Sequence, residues 1–397
     1  KKYFLVVASF FIYSHISLGQ VYPGQMDSTF VPVRSHHYDP ELTFDFCVNE
    51  PAWSNQAGIH SAFGSTDRLY FRKEVPVNHD NDLSSSYSTT VWRGERANAQ
   101  ILVWSSEALE QVRVSTQDLR SAEGNIIPKD RITFELVRYV LSNYPYAEKK
   151  AICGESPYKS GFLMPDRFET LDRFDLPSQT TRPVWMLVDV PRGTAPGTYK
   201  GQVEVRAKGK APQLLNLEIV VQNQLLPYPK DWKYRLDLWQ NPWAVAWYNH
   251  VEPWSPEHKM LLKQHLKHYA DAGGTYITTY GVHSPWSDNS YMIEGGMIEW
   301  IKKADGTWAF DYKIFDEYVE LAMECGIDEA ITLYTPIPWG FRHRYKDEAT
   351  GDYSYINWAP SSEEFKKMWN IFLTDFKFHL EAKSWLDITY IGINENP

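Results

Sequence analysis

A single carboxyl group set between two amides stands at the end of an apolar run. In ITYIGINENP (388–397), β-branched and aromatic residues lead directly into Asn394-Glu395-Asn396-Pro397. Such residues favour a strand. A carboxylate at a strand end is costly unless it works or is paired. Glu395 therefore reads either as a general acid/base or as the ion-pair partner of Arg342 or Arg344. As an acid it needs a raised pKa, which the apolar approach Ile391-Gly392-Ile393 favours. Similar chemistry falls just past other strand-like runs. Trp239 ends the first and Asn241 and Trp243 follow it, His283 and Trp286 follow the second, and Trp339 the third. Indole faces, an amide and an imidazole around one carboxyl suit a sugar ring, with apolar walls and hydroxyl-binding groups.

Other polar clusters point to ordinary roles. His265 and His268, with His258 upstream, read as a solvated helix face, and His36-His37 as plain loop. Asp316-Glu317 and Glu363-Glu364 read as surface charge on helices. Asp166, Asp172 and Asp175 lie in a stretch, 143–180, that reads as irregular. The three cysteines, Cys47, Cys153 and Cys325, have no metal-site spacing. A Cys47–Cys153 bridge is conceivable, and Cys325 reads as a buried apolar residue. The sequence calls for no metal and no cofactor.

The elements that must position the site residues lie in residues 229–397. Strand runs at 234–239, 275–282, 329–337 and 388–393 alternate with helical patterns at 255–274, 310–326 and 361–383. Ser255-Pro256 opens the first helix, Ser361 with Glu364 reads as a capping box on the third, and a hairpin turns at Asp305-Gly306. The βαβαβαβ order and the long loops after strands predict the first half of a (β/α)8 TIM-type barrel, its site at the strand C-termini. Residues 20–228 predict an N-terminal β-sandwich, with strands in 91–106, 132–141, 182–191, 201–207 and 214–227. The fold class is thus multidomain, β and then α/β. Residues 1–19 read as a secretory signal peptide: Lys1-Lys2, a short apolar core and Ser17-Leu18-Gly19. The chain is expected to be exported, to the periplasm or outside the cell, with no membrane attachment once the signal is removed. A formal charge of −10 excludes the basic surface that nucleic acid requires. Aromatics at 15% fit either a β-rich core or a carbohydrate-binding surface. Oligomeric state is not encoded in any pattern we recognise.

Four stretches of the second half, RLDLWQNPWAVA, GGTYITTYGVHSPWSDNSYMIEGGMIEW, ECGIDEAITLYTPIPWGFRHRY and TYIGINENP, resemble the catalytic domain of glycoside hydrolase family 123 proteins. VWRGERANAQ and PRGTAPGTYKGQVEV resemble the sandwich domain preceding it. The Asn-Glu-Asn-Pro ending also resembles the fourth-strand ending of many retaining glycosidases, where Glu is the acid/base. The family 123 resemblance implies a β-N-acetylhexosaminidase, more narrowly a β-N-acetylgalactosaminidase, acting on a glycan. It implies that Glu395 protonates the leaving oxygen. The preceding residue, Asp in the family, orients the substrate's acetamido group as nucleophile, an exception to the two-carboxylate rule. Here that position holds Asn394. Asn accepts an acetamide N–H but supplies no negative charge to an oxazolinium ring. A sugar-binding protein without catalysis, or a retaining glycosidase with a separate carboxylate nucleophile, therefore remains open. With four of eight strands present, the chain is expected to be an incomplete, inactive piece of the enzyme.

Overall fold

The structure is a computed structural model and describes residues 50–77, 83–142, 162–285 and 295–393. The expected signal peptide, Cys47, Cys153, Trp286, Asn394 and Glu395 lie outside the described residues. Two compact units part between Leu226 and Pro227.

In the first unit a short helix, α1 (Glu50–Trp53), precedes β1 (His60–Gly64), β2 (Ser86–Arg93), β3 (Arg96–Ser105), β4 (Leu109–Thr116), β5 (Leu119–Arg120) and β6 (Ile126–Ile127). There follow β7 (Ile132–Ser142), β8 (Phe162–Thr170), β9 (Phe174–Leu176), β10 (Thr180–Asp189), β11 (Gly197–Arg206) and β12 (Gln213–Leu225). One sheet runs β1-β3-β10-β7-β8; the other runs β2-β12-β11-β4-β9, with β5 and β6 attached. Strand β12 buries every second residue, Leu215, Leu217, Ile219 and Val221, as the two-residue period of a half-buried strand requires. These residues share one core with Ile101, Val103, Met186 and Val188 of the facing sheet, which makes a β-sandwich.

Two expectations are corrected here. The run 91–106 is two strands, divided at Gly94, whose φ of +83° turns the chain from one sheet to the other. The stretch 143–180, expected to be irregular, contains β8 and β9. Strand β8 pairs with β7 through a register shift, Arg138 opposite Arg167 and Tyr139 opposite Pro165. The extra residue, Asp166, breaks the alternation by which a strand is recognised. Asp172 pairs with Arg113 at 2.9 Å, and Asp175 accepts from the Gln111 N–H at 2.8 Å.

The second unit contains α2 (Pro242–Asn249), α3 (Pro256–Asp271), β13 (Tyr276–Tyr280), β14 (Glu299–Lys302), β15 (Trp308–Asp311) and α4 (Lys313–Glu324). It continues with β16 (Ala330–Tyr334), β17 (Arg342–Asp347), β18 (Tyr353–Asn357), α5 (Glu363–Lys383) and β19 (Thr389–Gly392). β13, β16 and β19 form a parallel sheet in that order. Its successive strands are joined through α4 and α5, the connection that parallel pairing demands. Ile277, Ile331 and Leu333 share a core with Phe315, Val319 and Phe372 of these helices. A second sheet, β15-β14-β17-β18, is built from the two strand-to-helix loops. Its β14–β15 hairpin turns at Gly306, φ +85°, as expected; the β17–β18 hairpin was not foreseen.

The expected strand at 234–239 does not form. Its backbone is held by side chains instead. The Tyr269 hydroxyl donates to Leu236 O at 2.6 Å, and Tyr280 donates to Gln240 O at 2.6 Å. Helix α4 starts at Lys313, because Phe310 and Asp311 belong to β15. Helix α5 is capped by Ser362, which accepts from Phe365 N–H, so the Ser361–Glu364 capping box is not made. Ser255 caps α3 with Pro256 in its first turn, as expected. Among the described residues no helix is long and apolar enough to cross a membrane.

Candidate active site

The parallel register brings three strand ends level. Tyr280 lies opposite Tyr334, and Tyr334 opposite Gly392. His283 follows Tyr280 by three residues, and in sequence Glu395 follows Gly392 by three. On one face of this sheet Thr278 and Thr332 donate to the Asp237 carboxylate, at 3.0 and 3.5 Å. Two residues further on, Trp239 packs on Tyr334 with ring centroids 4.9 Å apart. Trp239 stays 49% exposed.

The loops beyond the strands are tied together by backbone hydrogen bonds. Gly281 N–H donates to Tyr334 O at 2.7 Å, Ser284 N–H to Gly295 O at 3.0 Å, and Trp339 N–H to Pro285 O at 2.9 Å. Beside them opens a cleft of about 640 Å³, within the range of small-molecule sites. Trp243, Trp254, His283, Glu299, Glu317 and Arg344 are among its walls. Trp243 stacks on Tyr280 at 5.6 Å and meets Trp254 edge-on at 5.3 Å. Gly295 permits this: a Cβ there would lie 2.3 Å from the Trp243 indole.

Burial, and then the charges of Arg344 and Arg342, push the His283 imidazole down to about 3. It is a neutral hydrogen-bonding group at pH 7. The Arg344 guanidinium lies 4.2 Å from the Tyr353 ring centre and that of Arg342 3.8 Å from Tyr355. The Tyr353 hydroxyl donates to the Glu299 carboxylate. Lys259 meets Glu317 at 3.3 Å.

Of the residues expected to bind substrate, Trp243 and His283 line this cleft, but Trp243 is 7% exposed and packed into the apolar core against Tyr280, so its ring is not an open stacking face. Trp239 stands on the sheet face, and the Trp339 backbone is tied two residues beyond His283. Asn241 differs: its side-chain oxygen accepts from Ala244 N–H at 3.2 Å and caps α2. An Asn directly before Pro242 is a helix-start signal. His258 is not solvated but fully buried, accepting from Trp254 N–H and donating to Pro242 O, each at 2.8 Å. Asp316 and Glu317 are not plain surface charge either: Asp316 binds His379 and Lys383, and Glu317 lines the cleft. Sequence reading passed over Trp254, Lys259, Glu299 and Tyr353. For Tyr353 the available signal was the pair of period-two patterns RHR (342–344) and YSY (353–355), which set two arginines and two tyrosines on one strand face; no pattern marks the other three.

Residues 63–207 match the family model of the glycoside hydrolase 123 N-terminal domain, and residues 239–397 that of the glycoside hydrolase 123 catalytic domain. A solved family 123 glycoside hydrolase from Clostridium perfringens, studied for glycolipid glycan hydrolysis, superposes with a TM-score of 0.75 at 27% identity. The match covers 84% of this chain and 58% of that one, so this chain spans less than two thirds of its relative's length. PapD-like domain 7 of human CEP192 matches 47% of this chain and 99% of its own, at 12% identity and a TM-score of 0.23, too low to carry any argument. No curated protein sequence matches the chain. The two matched regions make the chain a glycoside hydrolase family 123-like protein with both characteristic domains.

Proposed function

We propose that this protein is an exported β-N-acetylhexosaminidase, of β-N-acetylgalactosaminidase type, acting on glycans through Glu395 as general acid/base. The observation that carries the reading is the level register of β13, β16 and β19, with Glu395 next in sequence beyond the third strand. In this reading the three parallel strands belong to a (β/α)8 barrel, whose chemistry sits beyond strand C-termini. Glu395 donates its proton to the leaving glycosidic oxygen. The acetamido oxygen attacks the anomeric carbon as the bond to the leaving group breaks, giving an oxazolinium ion. Glu395 then takes a proton from the water that opens it. Asn394 holds the acetamide N–H through its side-chain carbonyl. Trp239 and His283, and on this reading Trp286 and Trp339, supply stacking faces and hydroxyl partners, with Trp243 buried behind them against Tyr280. Glycolipid glycans, the substrates studied for the Clostridium perfringens relative, are a natural first class to assay.

Asn394 favours a second reading, in which it binds a 2-hydroxyl and a separate carboxylate is the nucleophile. Matched aryl β-glycosides bearing 2-acetamido or 2-hydroxyl groups separate the two. The acetamido mechanism predicts turnover confined to the first and raised by Asn394→Asp. Equal turnover of both, unaltered by Asn394→Asp, contradicts it. Binding without turnover of either would leave a sugar-binding protein.

A further inference from the structure

The acidic groups of the cleft have partners, and among its cations Arg344 is a guanidinium in no direct ion pair. Glu299 accepts from Tyr353, Glu317 is paired with Lys259, and Asp311 accepts from Lys313 N–H at the start of α4 at 2.8 Å. Arg344 lines the same cleft, and burial holds its pKa below the ordinary arginine value. It stacks on the Tyr353 ring and bonds the Tyr355 hydroxyl, and the Glu299 carboxylate acts on it electrostatically. Among the described residues no carboxylate forms a direct ion pair with it. A partly desolvated guanidinium without a directly paired carboxylate is unfavourable. Its flat fork, held against an aromatic ring, is preorganised for two parallel hydrogen bonds to a carboxylate or a sulfate. Arg342 adds a second positive charge on the same strand face, and His283 is neutral and can only hydrogen-bond. Tyr353 and Tyr355 are about half exposed and offer apolar ring edges beside the charge.

We propose that Arg344, supported by Arg342, makes this cleft selective for an acidic glycan, one carrying a carboxylate or sulfate on a sugar adjoining the cleaved residue. The inference rests on the glycosidase reading above and narrows its substrate class.

The test is equilibrium binding to the intact protein by titration calorimetry, with sulfur-linked disaccharides that resist cleavage. The probes are N-acetylgalactosamine β-linked to glucuronic acid, to glucose, and to glucose 6-sulfate. The inference predicts that at least one acidic probe binds roughly 10-fold or more tighter than the glucose probe, about 1.4 kcal/mol. That preference should shrink as salt is raised. Whichever acidic probe shows it identifies carboxylate or sulfate as the preferred group. The acidic-to-neutral ratio should fall towards one in Arg344→Gln and recover in part in Arg344→Lys, which restores charge without the fork. Equal affinity for all three probes overturns the inference, as does a preference unchanged in both variants. Failure of every probe to bind overturns the glycosidase reading itself, and the inference with it.

Discussion

His283 and His343 both remain neutral well below the pH at which a free imidazole takes up its proton. His283 is pushed to about 3 by burial and by two guanidinium charges, and His343 to about 4 by burial among Trp300, Trp358 and Trp369. Their unfolded-state pKa is near 6.5, so below about pH 6.5 the unfolded chain binds protons that the folded chain does not. Stability contributed by these groups is intact above that pH and falls as the pH drops toward 4. The loss from His343 alone reaches about 2 kcal/mol near pH 5. We predict a melting temperature flat from pH 8 to 7 and falling between 6.5 and 4.5, with the fall reduced in His343→Gln after allowing for its lower starting stability. A melting temperature that rises on acidification through this window contradicts the buried, neutral assignment. At this scale the sequence was legible where a residue followed a strand that forms: His283, three residues past β13, lines the cleft. For Asn241 the sequence did not show the helix cap, because one side chain type serves both as a cap and as a sugar ligand.

The segment 234–240 shows why one element escaped sequence reading while its neighbours did not. Its composition is that of a strand, yet Tyr269 bridges it to β13, donating to Leu236 O and contacting Tyr276 O at 2.8 Å, where a ladder of backbone bonds was expected. Removing that hydroxyl leaves backbone carbonyls without a donor. Tyr269→Phe should therefore cost about 1–3 kcal/mol, read as a lowered denaturation midpoint. Little change would mean the segment is held by other means. Gly295→Ala tests the packing of Trp243. The added carbon would lie within the indole's contact distance, so the ring must move. We expect a loss of about 1–3 kcal/mol and a change in near-ultraviolet circular dichroism. Helices α3, α4 and α5 were legible because their apolar residues recur at helical spacing and their ends carry Ser, Pro and Gly signals. The β17–β18 hairpin was hidden because its outward face is charged and aromatic, a pattern that also suits a loop.

Each compact unit has its own apolar core, one drawn from two facing sheets and the other from a parallel sheet with its helices. A unit with its own core is expected to fold alone. Residues 50–226, expressed without the rest, should give a cooperatively unfolding β-protein by circular dichroism; a disordered product would show that its core is insufficient. Both domains carried enough family-like sequence for the class of protein to be recognised before the fold was known. The departure at Asn394 was equally visible, and it is the feature on which the proposed chemistry turns. The most direct measurement is the leaving-group dependence of Glu395→Gln. Gln keeps the shape of the side chain and removes its proton. General acid catalysis predicts a loss of roughly 10²-fold or more for aryl 2-acetamido glycosides with poor leaving groups. Leaving groups that depart as stable anions need little protonation and should lose far less in the bond-breaking step. A uniform loss across the whole series, or none at all, would contradict the assignment of Glu395 as the acid.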